Sequence, residues 1–429
     1  FPSWRDTPPF ARARAMFRLK EVMEDRFEEL ARTITREHGK IIDEARGEVR
    51  RAIENVETAA GVPSLMMGYN LEDISAGIDE DCYYQPLGVF ACVAPFNFPA
   101  MVPMWFLPYA VTCGNSYIVK PSERCPLTQA LLFEMLEEAD LPDGVVNLVH
   151  GGKEVVEALL AHPGVQGISF VGSTPVARRL YALGAAQGKR MQCQAGAKNA
   201  LVIMPDAAID KTVPNIISSA FGTAGQRCLA GSLLLTVGDA YDRVVGPLLQ
   251  AARDMKVGDG LDESVQMGPV ISPQAVERVH RYVEGALEEG ATLLLDGRGI
   301  QVAGYPQGYF LGPTILDEVL PHMAVAREEV FGPLLAVIRV GTLDEALAVI
   351  DGSPYGNAAA IFTSSGGAAR EFRHRVRAGN VGVNIGVPAP IAAFPFSGMK
   401  QSFFGDLHGQ GRDAIHFFTD RKVIVSRWF

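Results

Sequence analysis

The sequence predicts an α/β protein built on mostly parallel, doubly wound sheets, and three observations lead there. Short apolar runs alternate with segments of helical periodicity along most of the chain. Those runs lack polar alternation, as strands covered on both faces do. A length of 429 residues with 48% hydrophobic and 21% charged side chains supplies a large core, enough for two or three domains of about 150 residues each.

The elements follow in order. Met16, Leu19, Met23, Phe27, Leu30 and Ile34 recur every three to four residues and stop near Gly39, which predicts an amphipathic helix ended by glycine. Ile41, Ala45, Val49, Ala52, Ile53 and Val56 keep the same period up to Gly61 and predict a second. A βαβ series comes next: strands at Leu87–Ala94, Ser116–Val119, Val145–Val149 and Gly167–Val171, with helices at Pro126–Ala139, after Gly152, and at Val176–Ala185. A second α/β unit begins at Leu201–Met204, with helices at Val276–Glu289 and Leu343–Ile350 and strands at Ala291–Leu295, Leu334–Val340 and Asn357–Phe362. Two lobes with a cleft between them are expected, and the tail Lys422–Trp428 reads as a strand able to pair with another subunit.

From Pro86 to Cys113 only Asn97 and Thr112 are plainly polar, a length that matches the roughly 20 residues of a membrane-spanning helix. Pro86, Pro95, Pro99, Pro103 and Pro108 oppose that reading, because a proline inside a helix costs about 3 kcal/mol or a hydrogen bond. A buried strand running into an irregular buried loop is the better expectation. Six cysteines (Cys82, Cys92, Cys113, Cys125, Cys193 and Cys228) are sparse for this length and follow no cleavable apolar leader, so reduced thiols and a cytoplasmic setting are expected. A net charge of −10 without a basic cluster argues against nucleic-acid binding. The eight histidines form no metal-ligand spacing, so no metal is expected.

Three segments could carry chemistry. Gly172-Ser173-Thr174-Pro175 joins a strand to a helix and aims N–H groups, a hydroxyl and a positive helix end at an anion such as a pyrophosphate; an ordinary helix cap reads the same way. Lys120-Pro121-Ser122-Glu123-Arg124 follows a strand where a lysine and a carboxylate could hold ribose hydroxyls. Glu123 there would repel a 2′-phosphate and favour NAD over NADP, although a solvated charged turn fits too. Phe221 to Ser232 places Cys228 behind small residues, with Arg227 beside it able to favour a thiolate. Buried cysteines are commonly inert. Asn97, the lone amide in the apolar Pro95–Pro103 loop, needs a partner or a substrate oxygen, which suits an oxyanion donor.

Taken together, Pro95-Phe96-Asn97-Phe98-Pro99, Lys120-Pro121-Ser122-Glu123, Phe170-Val171-Gly172-Ser173-Thr174, Gly225-Gln226-Arg227-Cys228 and Glu328-Glu329-Val330-Phe331-Gly332-Pro333 resemble the ordered motifs of the aldehyde dehydrogenase superfamily. The resemblance spans nearly the whole chain and lacks only the strands that usually precede the first helix, so native sequence ahead of Phe1 is expected. Ala100-Met101-Val102, Gly188-Lys189-Arg190, Gly196-Ala197-Lys198-Asn199, Met204-Pro205-Asp206-Ala207 and Ser402-Phe403-Phe404-Gly405-Asp406 are most similar to the CoA-acylating methylmalonate-semialdehyde dehydrogenase branch. Gln194 stands where hydrolytic members carry a glutamate, and a glutamine cannot take a proton from water at neutral pH.

The resemblance implies two doubly wound lobes plus a small oligomerisation element. Residues 1–70, 87–196 and 399–414 would bind NAD, 197–398 would form the catalytic domain, and 71–86 with 415–429 would supply oligomerisation strands of a dimer or tetramer. It implies Cys228 as nucleophile and Asn97 as oxyanion ligand. Ala94 and Phe96 would lie on the nicotinamide side, with Lys120, Glu123 and Arg124 at the adenosine end. Ser173 would meet the pyrophosphate and Ala195 the nicotinamide, while Glu329 would hold the nicotinamide ribose with Phe331 packed nearby. Arg227 is the first candidate for a substrate carboxylate, with Arg50 or Arg51 behind it on a helix face that otherwise reads as solvated. Cys193 would lie near the site without acting in it. The expected reaction converts a (methyl)malonate semialdehyde to propanoyl-CoA or acetyl-CoA with loss of carbon dioxide. The alternatives are a hydrolytic dehydrogenase releasing a free acid and a silent structural protein on the same scaffold.

Overall fold

The computed structural model describes residues 1–429. Val89–Val93, Ser116–Lys120, Val146–Leu148, Val165–Val171 and Arg190–Gln194 form five parallel strands of one sheet, with Phe403–Phe404 antiparallel beside Arg190–Gln194. Val89–Val93 lies at the centre, and Phe90, Ala91 and Cys92 are fully buried, which explains the missing polar alternation. The chain winds outward from this strand through Ser116–Lys120 to Val146–Leu148, then returns to lay Val165–Val171 on its other side. The reversal opens a crevice beyond the carboxyl ends of Val89–Val93 and Val165–Val171, where open sheets take ligands.

The second lobe is a seven-stranded sheet in the order Thr292–Leu295, Thr314–Asp317, Leu334–Val340, Gly231–Val237, Asn199–Ile203, Ala358–Phe362 and Asn380–Val383. Only Thr292–Leu295 runs antiparallel to its neighbour. Tyr69–Ser75, Ile78–Pro86 and Thr419–Arg427 make a separate antiparallel sheet that leaves Leu71, Val423 and Val425 exposed. No helix is long and apolar enough to cross a membrane.

The predicted first helix is two, Pro9–Asp25 and Phe27–His38, preceded by a separate short helix Pro2–Asp6; the break falls at Arg26, whose side chain pairs with Glu29, Glu134 and Glu138. The apolar period runs through the break because both helices bury the same stripe, so periodicity alone does not reveal it. Gly39 ends the run at φ +93°, and a Cβ there would stand 2.6 Å from Pro269. The stretch after Pro95 is not wholly irregular: it holds two short helices, Met101–Met104 and Leu107–Cys113. Pro108 sits in the first turn, where its missing N–H costs nothing. The tail also differs from expectation. Residues 415–418 belong to the helix Gly411–Phe418, not to a strand, because Phe418 packs edge-on against Phe90 at 5.0 Å in the first lobe's core; the strand starts at Thr419.

Candidate active site

The first lobe contributes the carboxyl edge of its sheet. Ala94, Lys120, Ser173 and Ala195 each stand at or just past the end of an adjacent parallel strand. Lys120 is buried, and its Nζ lies 3.0 Å from the exposed carboxylate of Glu123. Arg124 is exposed on the same turn. Ser173 occupies the N-cap of the helix Thr174–Ala186 without a side-chain cap bond, so its hydroxyl and the first N–H groups are open to an anion. A Cβ on Gly196 would stand 2.7 Å from both Glu329 Oε2 and Thr174 Oγ1, a closeness that only glycine permits.

The second lobe meets this edge with the amino ends of its strands. Glu329 precedes Leu334–Val340 and accepts a hydrogen bond from the Ala197 N–H at 3.0 Å. Burial pushes its carboxyl up to about 7, although the Ala197 N–H and Lys198 both favour the charged form. Lys198 is itself buried without a hydrogen-bond partner, and desolvation lowers its ammonium to about 7. Phe331 stands edge-on to Phe96 with ring centres 5.9 Å apart, and the His38 ring stacks on Phe96 from another side. Residues far apart in sequence therefore share one cleft.

Cys228 follows a sharply bent turn. Thr223 and Ala224 hold left-handed backbone at φ +53° and +51°, and Gly225 continues at φ +70° with Gly332 O only 2.1 Å from where a Cβ would be. Left-handed geometry at non-glycine residues costs about 1–3 kcal/mol each and concentrates at functional sites. The bend leaves Cys228 partly exposed, whereas the other five cysteines are buried. Its carbonyl accepts from Asn199 Nδ2 at 2.8 Å and Asn357 Nδ2 at 2.7 Å, which fixes the backbone of that residue. Asn97 is buried and donates Nδ2 to Gln226 O at 3.0 Å, two residues ahead of the cysteine.

Arg227 favours the Cys228 thiolate, as expected from sequence, but only weakly. Its Nη2 lies 2.6 Å from Glu44 Oε1 and its Nε donates to Thr223 Oγ1 at 2.9 Å, so its charge is already matched. Desolvation, with Glu329 adding to it, pushes the Cys228 thiol up to about 12; the N–H groups of Cys228 and Leu229 and the Arg227 charge offset only part of this. Cys228 and Arg227 line a cavity of about 290 Å³ whose apolar wall includes Trp105 stacked on Phe396 at 4.4 Å. Arg51 lines it too, so the helix face read as solvated faces the cavity there; Arg50 instead pairs with Glu24 at 2.6 Å outside it.

Gln194 is buried at the end of its strand and donates Nε2 to Phe396 O at 3.1 Å, leaving Oε1 without a partner. Cys193 beside it is buried, and desolvation holds its thiol up to about 12. Sequence reasoning missed Glu44, Glu48, Asn199 and Asn357. Glu48 had a visible signal: it lies three residues after Ala45 and four before Ala52, on the apolar stripe of its helix.

Residues 1–424 match the aldehyde dehydrogenase family profile. The chain belongs to the aldehyde dehydrogenase family. Among its relatives, malonate-semialdehyde dehydrogenase 2 of Geobacillus kaustophilus (strain HTA426) is 50% identical over 428 residues, covering 100% of this chain and 88% of the relative. The malonate-semialdehyde dehydrogenase of Halalkalibacterium halodurans is 47% identical over 428 residues with the same coverage. The crystal structure of methylmalonate-semialdehyde dehydrogenase from Oceanimonas doudoroffii superposes with a TM-score of 0.98 at 47% identity, covering 100% of this chain and 88% of that one. A structure from Sinorhizobium meliloti 1021 complexed with NAD gives 0.98 at 42% identity, covering 100% and 87%. This aldehyde dehydrogenase shares the fold of those structures, and in it one lobe presents strand ends to the strained cysteine turn of the other.

Proposed function

We propose that this aldehyde dehydrogenase oxidises malonate or methylmalonate semialdehyde with NAD and transfers the shortened acyl group to CoA. One observation carries the reading: the cavity holding Cys228 is lined by two arginines, Arg227 and Arg51, and although Glu44 and Glu54 on the same wall pair with them, each guanidinium fork has further donors to offer an aldehyde whose other end is a carboxylate. The relatives named for malonate and methylmalonate semialdehydes support it.

In this reading the partly exposed Cys228 gives its proton to solvent as substrate enters, and its sulfur bonds to the aldehyde carbon. The Asn97 amide and the Cys228 N–H hold the resulting oxyanion of the thiohemiacetal. NAD, when bound, would supply the hydride acceptor for oxidation of this adduct to a thioester. Lys120, Glu123, Arg124 and Ser173 would hold the adenosine and pyrophosphate part of the cofactor. Ala94, Phe96, Ala195, Glu329 and Phe331 would hold the nicotinamide part. The open N-terminus at Ser173 and the Lys120–Glu123 pair fit that group. In the thioester, the β-carboxylate leaves as carbon dioxide while the carbonyl takes up the electron pair, and protonation of the carbanion follows. The CoA thiolate then displaces Cys228. Gln194 supports transfer to a thiol over hydrolysis, since its amide cannot deprotonate water. The same reading takes 1–70, 87–196 and 399–414 as the NAD-binding domain and 197–398 as the catalytic domain. It takes the exposed three-stranded sheet as an oligomerisation element, with the strands at 71–86 and 419–427. The six unpaired thiols support a cytoplasmic location.

Mixing enzyme, NAD and malonate semialdehyde without a thiol is expected to release about one NADH per Cys228 and then stall, with steady turnover when CoA is added. Sustained turnover without any thiol would show a hydrolytic enzyme instead.

Glu329 gives the reading a pH signature. A carboxyl raised to about 7 is mostly neutral at pH 6 and becomes a stronger acceptor for ribose hydroxyls as pH rises. NAD is therefore expected to bind more tightly at pH 8 than at pH 6 in fluorescence titrations, with Glu329→Gln flattening the profile. A wild-type profile that is flat, or inverted, removes Glu329 from this role.

A further inference from the structure

We infer that Glu48, through its buried ion pair with Lys40, is a positioning residue for the Asn97 amide; this rests on the reading of Asn97 as the oxyanion ligand. Both side chains are fully buried, with Lys40 Nζ 2.6 Å from Glu48 Oε2. The pair grips the Asn97 loop at two points. Lys40 Nζ donates to Asn97 O at 2.5 Å and stands 4.1 Å over the Phe98 ring. Glu48 Oε1 accepts from the Ala100 N–H at 2.8 Å and the Met101 N–H at 3.1 Å.

Burying two charges in this way is a poor route to stability. Desolvation costs several kcal/mol per ion, and a well-packed apolar pair of similar volume is often as stable or more so. What the pair supplies is geometry. Irregular backbone in a buried loop has no ladder to fix it, and here a carboxylate and an ammonium take up its N–H and C=O groups together.

Glu44 lies one turn before Glu48 on the same helix, Ile42–Ala60, and grips the opposite half of the site. It accepts from the Thr223 N–H at 2.8 Å and from Arg227 Nη2 at 2.6 Å, ahead of Cys228. A single rigid helix thus registers the nucleophile turn through Glu44 and the amide loop through Glu48. The sulfur and the donor must meet one substrate carbonyl, and misplacement by about 1 Å can cost 10²-fold in rate.

The test uses the full chain with NAD, CoA and malonate semialdehyde, comparing wild type, Glu48→Gln, Asn97→Ala and the double variant. Glu48→Gln is expected to lower kcat by about 10- to 100-fold with the NAD KM unchanged. Asn97→Ala is expected to lower kcat by about 10²–10³-fold. The double variant should be no slower than Asn97→Ala alone, because Glu48 acts through the amide already removed. The rate of Cys228 alkylation by iodoacetamide should stay at the wild-type value in Glu48→Gln, since the Glu44 contacts remain. Wild-type kcat in Glu48→Gln, or a double variant that loses the product of the two single factors, overturns the inference. Wild-type kcat in Asn97→Ala overturns the oxyanion reading itself, which is a separate result. If Glu48→Gln fails to fold around the unpaired Lys40, Lys40→Met/Glu48→Gln removes both charges and takes its place; the same loss is expected, and a wild-type kcat in it overturns the proposal.

Discussion

Replacing Cys228 with alanine is expected to lower kcat by at least about 10⁴-fold while leaving NAD affinity unchanged. The size follows from covalency: without sulfur there is no thiohemiacetal and no thioester, so neither the oxidation nor the acyl transfer has its intermediate. Remaining donors, Asn97 among them, would still polarise an aldehyde but would have nothing to attack it. NAD affinity should hold because the residues read as cofactor contacts lie on the first lobe's strand ends and at Glu329 and Phe331. The alkylation of Cys228 in the wild type adds a check on its chemistry. With the thiol pushed up to about 12, the thiolate fraction rises nearly tenfold per pH unit from pH 7 to 10, and the rate of iodoacetamide inactivation should rise with it and show no plateau. A plateau near pH 8 would mean that the free enzyme keeps a ready thiolate, and unchanged turnover in Cys228→Ala would end the covalent mechanism.

Much of this site was legible before folding was considered, and the reason differs by residue. The strands of the first lobe could be read because both faces are buried, which suppresses alternation at Phe90, Ala91 and Cys92. Asn97 stood out because an amide in an apolar stretch demands a partner. Cys228 could be singled out from its five fellows only through its neighbours, and the structure supplies the physical difference: a turn with three successive left-handed residues brings it to the cavity. Glu44 and Glu48 were not read as functional because a carboxylate on a helix is usually solvated. Their partners, the Thr223 N–H and Lys40, come from other elements and are brought to them by tertiary packing. The strength of Arg227's thiolate support was hidden for the same reason: adjacency to Cys228 gives its direction, but Glu44, 183 residues away in sequence, already holds the guanidinium and leaves the support weak. Asn199 and Asn357 likewise act on Cys228 through its carbonyl, a contact that no motif spacing encodes.

The second large effect concerns substrate choice. Arg51→Met is expected to lower kcat/KM for malonate semialdehyde by about 10- to 100-fold, because the Arg51 side chain is about one-third exposed, a hydrogen bond to a charged group costs about 1.5–3 kcal/mol to lose, and each 1.4 kcal/mol is tenfold. Propanal, which has no carboxylate, should be turned over by the variant about as well as by the wild type. Arg51 suits this test better than Arg227. Its other partner, Glu54 at 2.8 Å, is one-third exposed, so water can take over when the guanidinium is removed. Arg227 is tied to Glu44 and Thr223, so its removal would also disturb the cysteine turn and lower the rate with every aldehyde. Methionine at 51 keeps much of the arginine stem's apolar contact and removes only the fork of donors. Equal losses with both aldehydes would make Arg51 a structural residue of the helix. No loss with either would leave Arg227 as the sole candidate for the carboxylate, with the cavity's second guanidinium serving only its bond to Glu54.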